Sequence, residues 1–251
     1  MERSDYIFGI RAVIEAIEAG KEIDKILIKK DLNGELANEL FDLIKSHRLY
    51  AKRVPIEKLN KITRKNHQGV IAIMSAVTYH SLEHLVPQLY EDGVLPFVVV
   101  LDGITDVRNF GAIARTCECA GADAVVIPMH NSVSVSGDAM KTSAGALHHL
   151  PVCRERSLVG AIRFLKDNGY QIVAASEKAN INYTQADYLT PVAIVMGAED
   201  TGISEEVLKL CDTFVSIPQF GHIGSLNVSV AAGVMMYEVV RQRLDSDMEV
   251  I

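Results

Sequence analysis

No window of the 251-residue chain approaches the ~18 uninterrupted apolar residues that a membrane-spanning helix requires. The opening residues, MERSDYIFG, lack the apolar core of a secretory signal, so a cytoplasmic location is expected. The four cysteines, Cys117, Cys119, Cys153 and Cys211, match neither a disulfide framework nor the spacing of a zinc site. The close pair, Cys117 and Cys119, falls in a helical pattern where positions two apart point to different faces, which makes them packing residues. His148 and His149 stand without nearby partners, and no metal centre is expected. No G-x-G-x-x-G follows an apolar run, nor does a G-x-x-x-x-G-K-[ST], which removes the main support for dinucleotide and P-loop readings. No G-x-S-x-G elbow offers a hydrolase nucleophile. Internal repeats and low-complexity tracts are missing as well.

What is present suits a globular protein: 49% of residues are hydrophobic, enough for a substantial core. The net charge of −7 is unevenly spread. Residues 1–75 carry 14 Lys and Arg against 11 Asp and Glu, and the rest carry 11 against 21. Between Lys45 and Lys65 the cations Lys45, Arg48, Lys52, Arg53, Lys58, Lys61, Arg64 and Lys65 face one acid, Glu57. Such a run is either a solvated surface or a grip on nucleic-acid phosphates.

Period and punctuation divide the chain. "GIRAVIEAIEAG" has helical spacing and stops at Gly20, "IDKILI" alternates as a strand, "GELANELFDLIKSHR" is a second amphipathic helix and "HQGVIAIMSAV" a buried strand. Residues 1–76 are therefore expected to form a small α/β unit. The mixed stretch 77–94, with Pro87 and Gly93, reads as a connector with a short helix, residues 95–245 as a larger domain and 246–251 as a tail. In the larger domain the runs "FVVVLD", "DAVVIP", "YQIVAAS", "VAIVMG" and "TFVSIP" alternate with helical segments. Runs so uniformly apolar are buried on both faces, which predicts a mainly parallel sheet with helices on both sides.

In open parallel sheets ligands gather at the carboxyl ends of strands. Three strand-end loops there stand out. They place Asn109, Arg115, Glu199, Ser225 and Asn227 among turns rich in glycine. Taken singly, Asn109 and Asn227 also read as helix caps and Glu199 as a surface acid.

The segments "RNFGAIART", "GAEDTG" and "IPQFGHIGSLNVSVAAG", in this order, resemble the three motifs of the SpoU family of RNA ribose 2′-O-methyltransferases. One departure is Gln219, where an apolar residue is expected after Ile-Pro. The N-terminal unit resembles the substrate-binding domain of members that modify guanosine in 23S ribosomal RNA. The resemblance implies a SPOUT fold with a trefoil knot, a homodimer joined through the C-terminal domain, and S-adenosylmethionine as cofactor. It implies cofactor contacts from Met196, Gly197, Ala198, Ile217, Pro218, Ser225 and Leu226. It makes Arg115 the central catalytic residue, beside Asn109, Glu199, Ser225 and Asn227. With the family in view, Lys45, Arg48, Lys52, Arg53, Lys61, Arg64 and Lys65 become the expected RNA contacts. A guanidinium stays protonated at ordinary pH, so Arg115 reads either as a base assisted by an RNA phosphate or as a stabiliser of the developing alkoxide. The small residues Ser229, Ala231, Ala232 and Gly233 are expected to allow close backbone packing at a knotted crossing and a subunit interface. Alternatives are a transfer-RNA ribose as substrate, a catalytically silent RNA-binding or ribosome-assembly factor of the same fold, or a Rossmann-type oxidoreductase.

Overall fold

The computed structural model describes residues 6–249, with side chains through Ser246. It divides into two compact units, one running to Thr78 and taking in Ser134–Gly137, the other formed by Tyr79–Val133 and the chain from Asp138 onward.

The first unit contains β1 (Tyr6–Phe8), α1 (Ile10–Glu18), β2 (Ile23–Lys29), α2 (Glu35–Ser46), β3 (Ala51–Val54), α3 (Ile56–Ile62) and β4 (Val70–Met74). Its strands pair in the order β1-β4-β2-β3, with β4 antiparallel to both neighbours and β3 parallel to β2. One face buries Ile26, Ile28, Val70 and Ala72 against Val13, Ile14 and Leu40 of the helices. The other packs Leu27, Ile71 and Ile73 against Leu59 of α3. Apolar residues therefore run almost continuously along β2 and β4, because both faces of the sheet are covered.

The second unit contains β5 (Tyr79–His80), α4 (Leu82–Glu91), β6 (Phe97–Asp102), α5 (Val107–Cys119), β7 (Ala124–Pro128), α6 (Gly137–Thr142), β8 (Val152–Glu155), α7 (Leu158–Asp167), β9 (Gln171–Ala175), β10 (Ile181–Asn182), β11 (Val192–Gly197), α8 (Glu205–Leu208), β12 (Thr213–Ser216) and α9 (Val228–Glu249). Its eight strands run in the order β10-β12-β9-β11-β6-β7-β8-β5, and every pairing is parallel. This is the doubly covered parallel sheet that the apolar runs predict. Residues 77–94, read as a connector, hold the edge strand β5, which pairs with β8, and α4, whose Leu82 and Val86 are buried. A two-residue strand shows no period, and Pro87 lies inside the helix. Of the expected tail, 246–249 continue α9, and 250–251 lie outside the described residues.

Strand order positions the site. From β6 the chain builds outward through β7 and β8, then returns to the other side of β6 with β9, leaving the slot that β11 later fills. The crevice beyond β6 and β11 is thus a switch point of the kind where α/β sheets bind ligands. After β12 the chain crosses back over the strand ends through 217–227 and enters α9, which packs on α5. Ala232 is fully buried there, and a Cβ at Gly233 would make ordinary contact with Thr116 of α5 at 3.7 Å, so close packing does not by itself require glycine at that position. At the opposite ends of the strands, the Arg243 guanidinium donates to the carbonyls of Leu95 (2.8 Å) and Pro96 (3.1 Å).

Candidate active site

Each of the three motif segments takes its position from a local cause. Asp106 caps α5, its carboxylate accepting from the N–H groups of Arg108 (2.8 Å) and Asn109 (3.0 Å). These bonds hold the Asp106 carboxyl below its usual range. The cap is therefore Asp106, and Asn109 lies in the first turn with its side chain free to point at the strand ends. Gly111 lets α6 approach α5, since a Cβ there would fall 2.1 Å from Thr142 Oγ1 and 2.8 Å from its carbonyl carbon.

The second segment leaves β11 as a tight loop. Ala198 and Gly202 exchange two backbone hydrogen bonds, 3.2 and 2.8 Å, and Gly202 turns with φ +68°. A Cβ on Gly197 would lie 2.2 Å from the Gly202 carbonyl carbon and 2.3 Å from Ile203 N, so only glycine fits. The Asp102 carboxylate, at the end of neighbouring β6, receives the Ser204 N–H at 2.8 Å and fixes the far side of the loop.

The third segment ties the other two together. The Asn227 amide donates to Asn109 Oδ1 at 3.0 Å and to Glu199 Oε1. Its carbonyl oxygen accepts from Ser229 N at 3.0 Å and from the Ser229 hydroxyl, and Glu199 Oε1 also receives Val228 N at 3.2 Å. Asn227 and Glu199 together cap α9. Residues 118 and 28 positions from Asn227 thus meet on one amide group.

Beside this cluster lies a cavity of about 290 Å³ at the ends of β9, β11 and β12. Met196, Gly197, Ala198, Ile217, Ser225 and Leu226 line it, whereas Pro218 is not among its walls. Gln219 lines it too, its amide turned back to the Ile217 carbonyl at 3.0 Å. The wall formed by Ala175–Lys178 was missed in the sequence, although it directly follows the run "YQIVAAS" and the strand-end rule points to it. Leu208 and Val215 supply apolar surface, and Ser176 and Ser225 hydroxyl groups. The set suits a flat heteroaromatic ring with a polar tail.

Arg115 sits apart from the bonded cluster. It lies six residues beyond Asn109 on α5, about 9 Å along the axis. Its side chain is exposed and has no hydrogen bond or ion pair among the described residues. In the first unit Lys45, Arg48, Lys52, Arg53, Lys61, Arg64 and Lys65 are all exposed. Arg53 donates to the Lys30 carbonyl at 2.7 Å and stacks on Phe41, and Lys65 lies over Phe8. The two buried cysteines are not poised for chemistry: burial pushes the Cys153 thiol up to about 12 and the Cys117 thiol higher still.

The model of the SpoU rRNA Methylase family matches residues 96–237, and that of the RNA 2′-O ribose methyltransferase substrate-binding domain matches 6–80. A Staphylococcus saprophyticus protein assigned to the TrmH family of tRNA/rRNA methyltransferases is 40% identical, over 94% of this chain and 95% of its own. Among solved structures, the AdoMet-bound rRNA methyltransferase of Sinorhizobium meliloti is 26% identical, with a TM-score of 0.61 over 96% of this chain and 88% of that one. The A. aeolicus TrmH/SpoU tRNA modifying enzyme is 29% identical, with a TM-score of 0.55 over 66% of this chain and 86% of its own.

Proposed function

Because the chain belongs to the SpoU rRNA methylase family, we propose that it transfers the methyl group of S-adenosylmethionine to a ribose 2′-hydroxyl of a guanosine in 23S ribosomal RNA. The observation that carries this reading is the Asn227 amide, which gathers all three motif segments at the rim of the cavity. The cavity fits the cofactor: Gly197 lets the loop through Gly202 close tightly at its edge, Leu208, Val215 and Leu226 offer apolar walls, and Ser176 and Ser225 offer hydroxyls. When bound, S-adenosylmethionine supplies an electrophilic methyl group on a sulfonium sulfur.

The chain's own residues then align the alcohol and handle developing charge. Glu199 uses Oε1 to hold Asn227 and the start of α9, which makes it a positioning residue. Asn109, fixed by Asn227, borders the place where the ribose enters. Arg115 presents an unpartnered guanidinium, with a planar fork suited to an RNA phosphate and to negative charge gathering on the ribose oxygen. The crossing at 217–227 is read as the knotted return implied by the family.

Ribosomal RNA is favoured over transfer RNA by the first unit. The ribosomal enzyme of S. meliloti aligns with 96% of this chain, and the transfer-RNA enzyme of A. aeolicus with 66%. A homodimer is supported by α9, where Val230, Tyr237 and Leu244 recur every seven residues and are each at least half exposed. A second copy of the same face would bury them.

The test is methyl transfer from radiolabelled S-adenosylmethionine to ribosomal and transfer RNA taken from cells lacking the enzyme. Label in a ribosomal guanosine ribose is expected, and Arg115→Ala should cost about 10²- to 10³-fold in rate while cofactor binding persists. Label only in transfer RNA would move the substrate, and no label with either RNA would overturn the catalytic reading.

A further inference from the structure

The first unit holds a second hollow, of about 430 Å³, between the loop after β2, the start of α3 and the loop entering β4. Its size lies within the range of small-ligand sites. Leu32 and Ile56 give it an apolar side, and Ile56 is 37% exposed with nothing covering it. Asn33 and Asn66 stand on its rim with side chains that make no hydrogen bond among the described residues. Lys65 adds a cation, and Lys29 is already paired with Asp31 at 3.0 Å.

The loop entering β4 is built with more care than a connection needs. His67 is 6% exposed, accepts the Gly69 N–H on Nδ1 at 3.0 Å and donates from Nε2 to Asn60 Oδ1 at 2.9 Å. Gln68 is held at φ +52°, unusual for a residue with a side chain, and its amide oxygen takes the Ile10 N–H at 3.0 Å. Gly69 is held at φ +81°, and a Cβ there would crowd Lys29 Cβ at 3.1 Å and Leu32 Cδ1 at 3.2 Å. Backbone held this way persists where the surroundings over-determine it, and it concentrates at ligand clamps. What it presents to solvent here is the pair of amides and the apolar side.

We infer that this hollow seats an unpaired nucleotide of the RNA substrate, its base against Leu32 and Ile56, its edge bonded by Asn33 and Asn66, and its phosphate near Lys65. This rests on the RNA-methyltransferase reading and deepens it. Amides carry both donors and acceptors, as base edges do. A base within an A-form duplex has its faces stacked and its Watson–Crick edge paired, whereas a splayed base frees both. The site is distinct from the cations on β3, which contact a backbone irrespective of pairing.

The experiment measures binding of the full-length chain to ribosomal RNA from cells lacking the enzyme, by filter retention at several salt concentrations. The double variant Asn33→Ala/Asn66→Ala is expected to bind about tenfold more weakly, from two lost hydrogen bonds, with the salt slope unchanged. Thermal unfolding and cofactor binding should match wild type, since both residues are exposed. With 4-thiouridine-substituted RNA, photo-crosslinks are expected in peptides containing 29–33 or 65–69, and a single-stranded oligonucleotide should compete better than its duplex. Wild-type binding by the double variant, with crosslinks only elsewhere, would overturn the seat and leave the RNA reading intact. Equal competition by duplex would overturn the preference for an unpaired base. No RNA binding by wild type would overturn both.

Discussion

The two units reach a binding surface by opposite routes. In the first, the hollow is made by three nearby stretches, 29–33, 56 and 65–69, on a four-stranded mixed sheet. In the second, the polar cluster joins residues 118 positions apart on an eight-stranded parallel sheet. Neighbouring strands of the first sheet are also joined through helices, but the unit is short and its hollow draws only on residues between 29 and 69. A parallel sheet must cross over with helices, and the ends of adjacent strands come from distant parts of the chain. Charge follows the same division, with cations in excess up to residue 75 and acids in excess after it. Under the proposed function, gripping a polyanion and binding a sulfonium cofactor fall to different units.

The comparison is broken most severely at Gly197. Gly197→Ala places a methyl group inside the Gly202 backbone, and the overpacked loop should cost about 3 kcal/mol or more in the second unit. Hydrogen exchange resolved by unit should show faster opening around β11 with unchanged protection in β2 and β4, and calorimetry should show loss of cofactor binding. Equal loosening of both units would mean that the two are not independent.

Asn227→Asp sharpens it at the level of one group. Aspartate still accepts from Ser229 N, so the α9 cap survives, but it cannot donate to Asn109 and Glu199 and adds a charge beside Glu199. Methyl transfer should fall about 10²-fold with RNA affinity unchanged. A fall in RNA affinity instead would place RNA binding in the wrong unit.

In the first unit, Lys52→Ala/Arg53→Ala should lower the slope of log affinity against log salt by about 1.4, two single-strand phosphate contacts, and leave the turnover of bound RNA unchanged. Both residues lie on β3, a free edge strand, where exposed cations also discourage edge-to-edge pairing. An unchanged slope would leave them with that role alone.

The smallest effect is a pH dependence. The N–H groups of Asn109 and Arg108 hold the Asp106 carboxyl below its unfolded value. Its contribution to α5 is therefore present above about pH 4 and lost as pH falls through the lowered value. Asp106→Asn keeps an acceptor at the cap, so acid unfolding near α5 should lose part of its pH dependence, read by exchange rates between pH 5 and 2.5.

Much of this was legible in the chain before folding. The apolar runs gave β6, β7, β9, β11 and β12 and their parallel arrangement, and the helical periods gave α1 and α2. The two-residue strands β5 and β10 carry too few positions for a period to register, and β8, VCRE, ends on two charged residues that break its apolar run. The strand-end rule found Asn109, Glu199 and Asn227, because a side chain just past a buried run has only the crevice or solvent to face. It gave no hint that Asn227 would hold the other two, nor that Arg115 would stand apart.

By itself the sequence determined the elements, the order of the motifs and the segregation of charge, since each is set by residues close along the chain. Only the tertiary structure decided which loops meet, which glycines are irreplaceable and which polar groups remain unpartnered. Those depend on strand order and on distances between backbones far apart in sequence, and no local pattern encodes them.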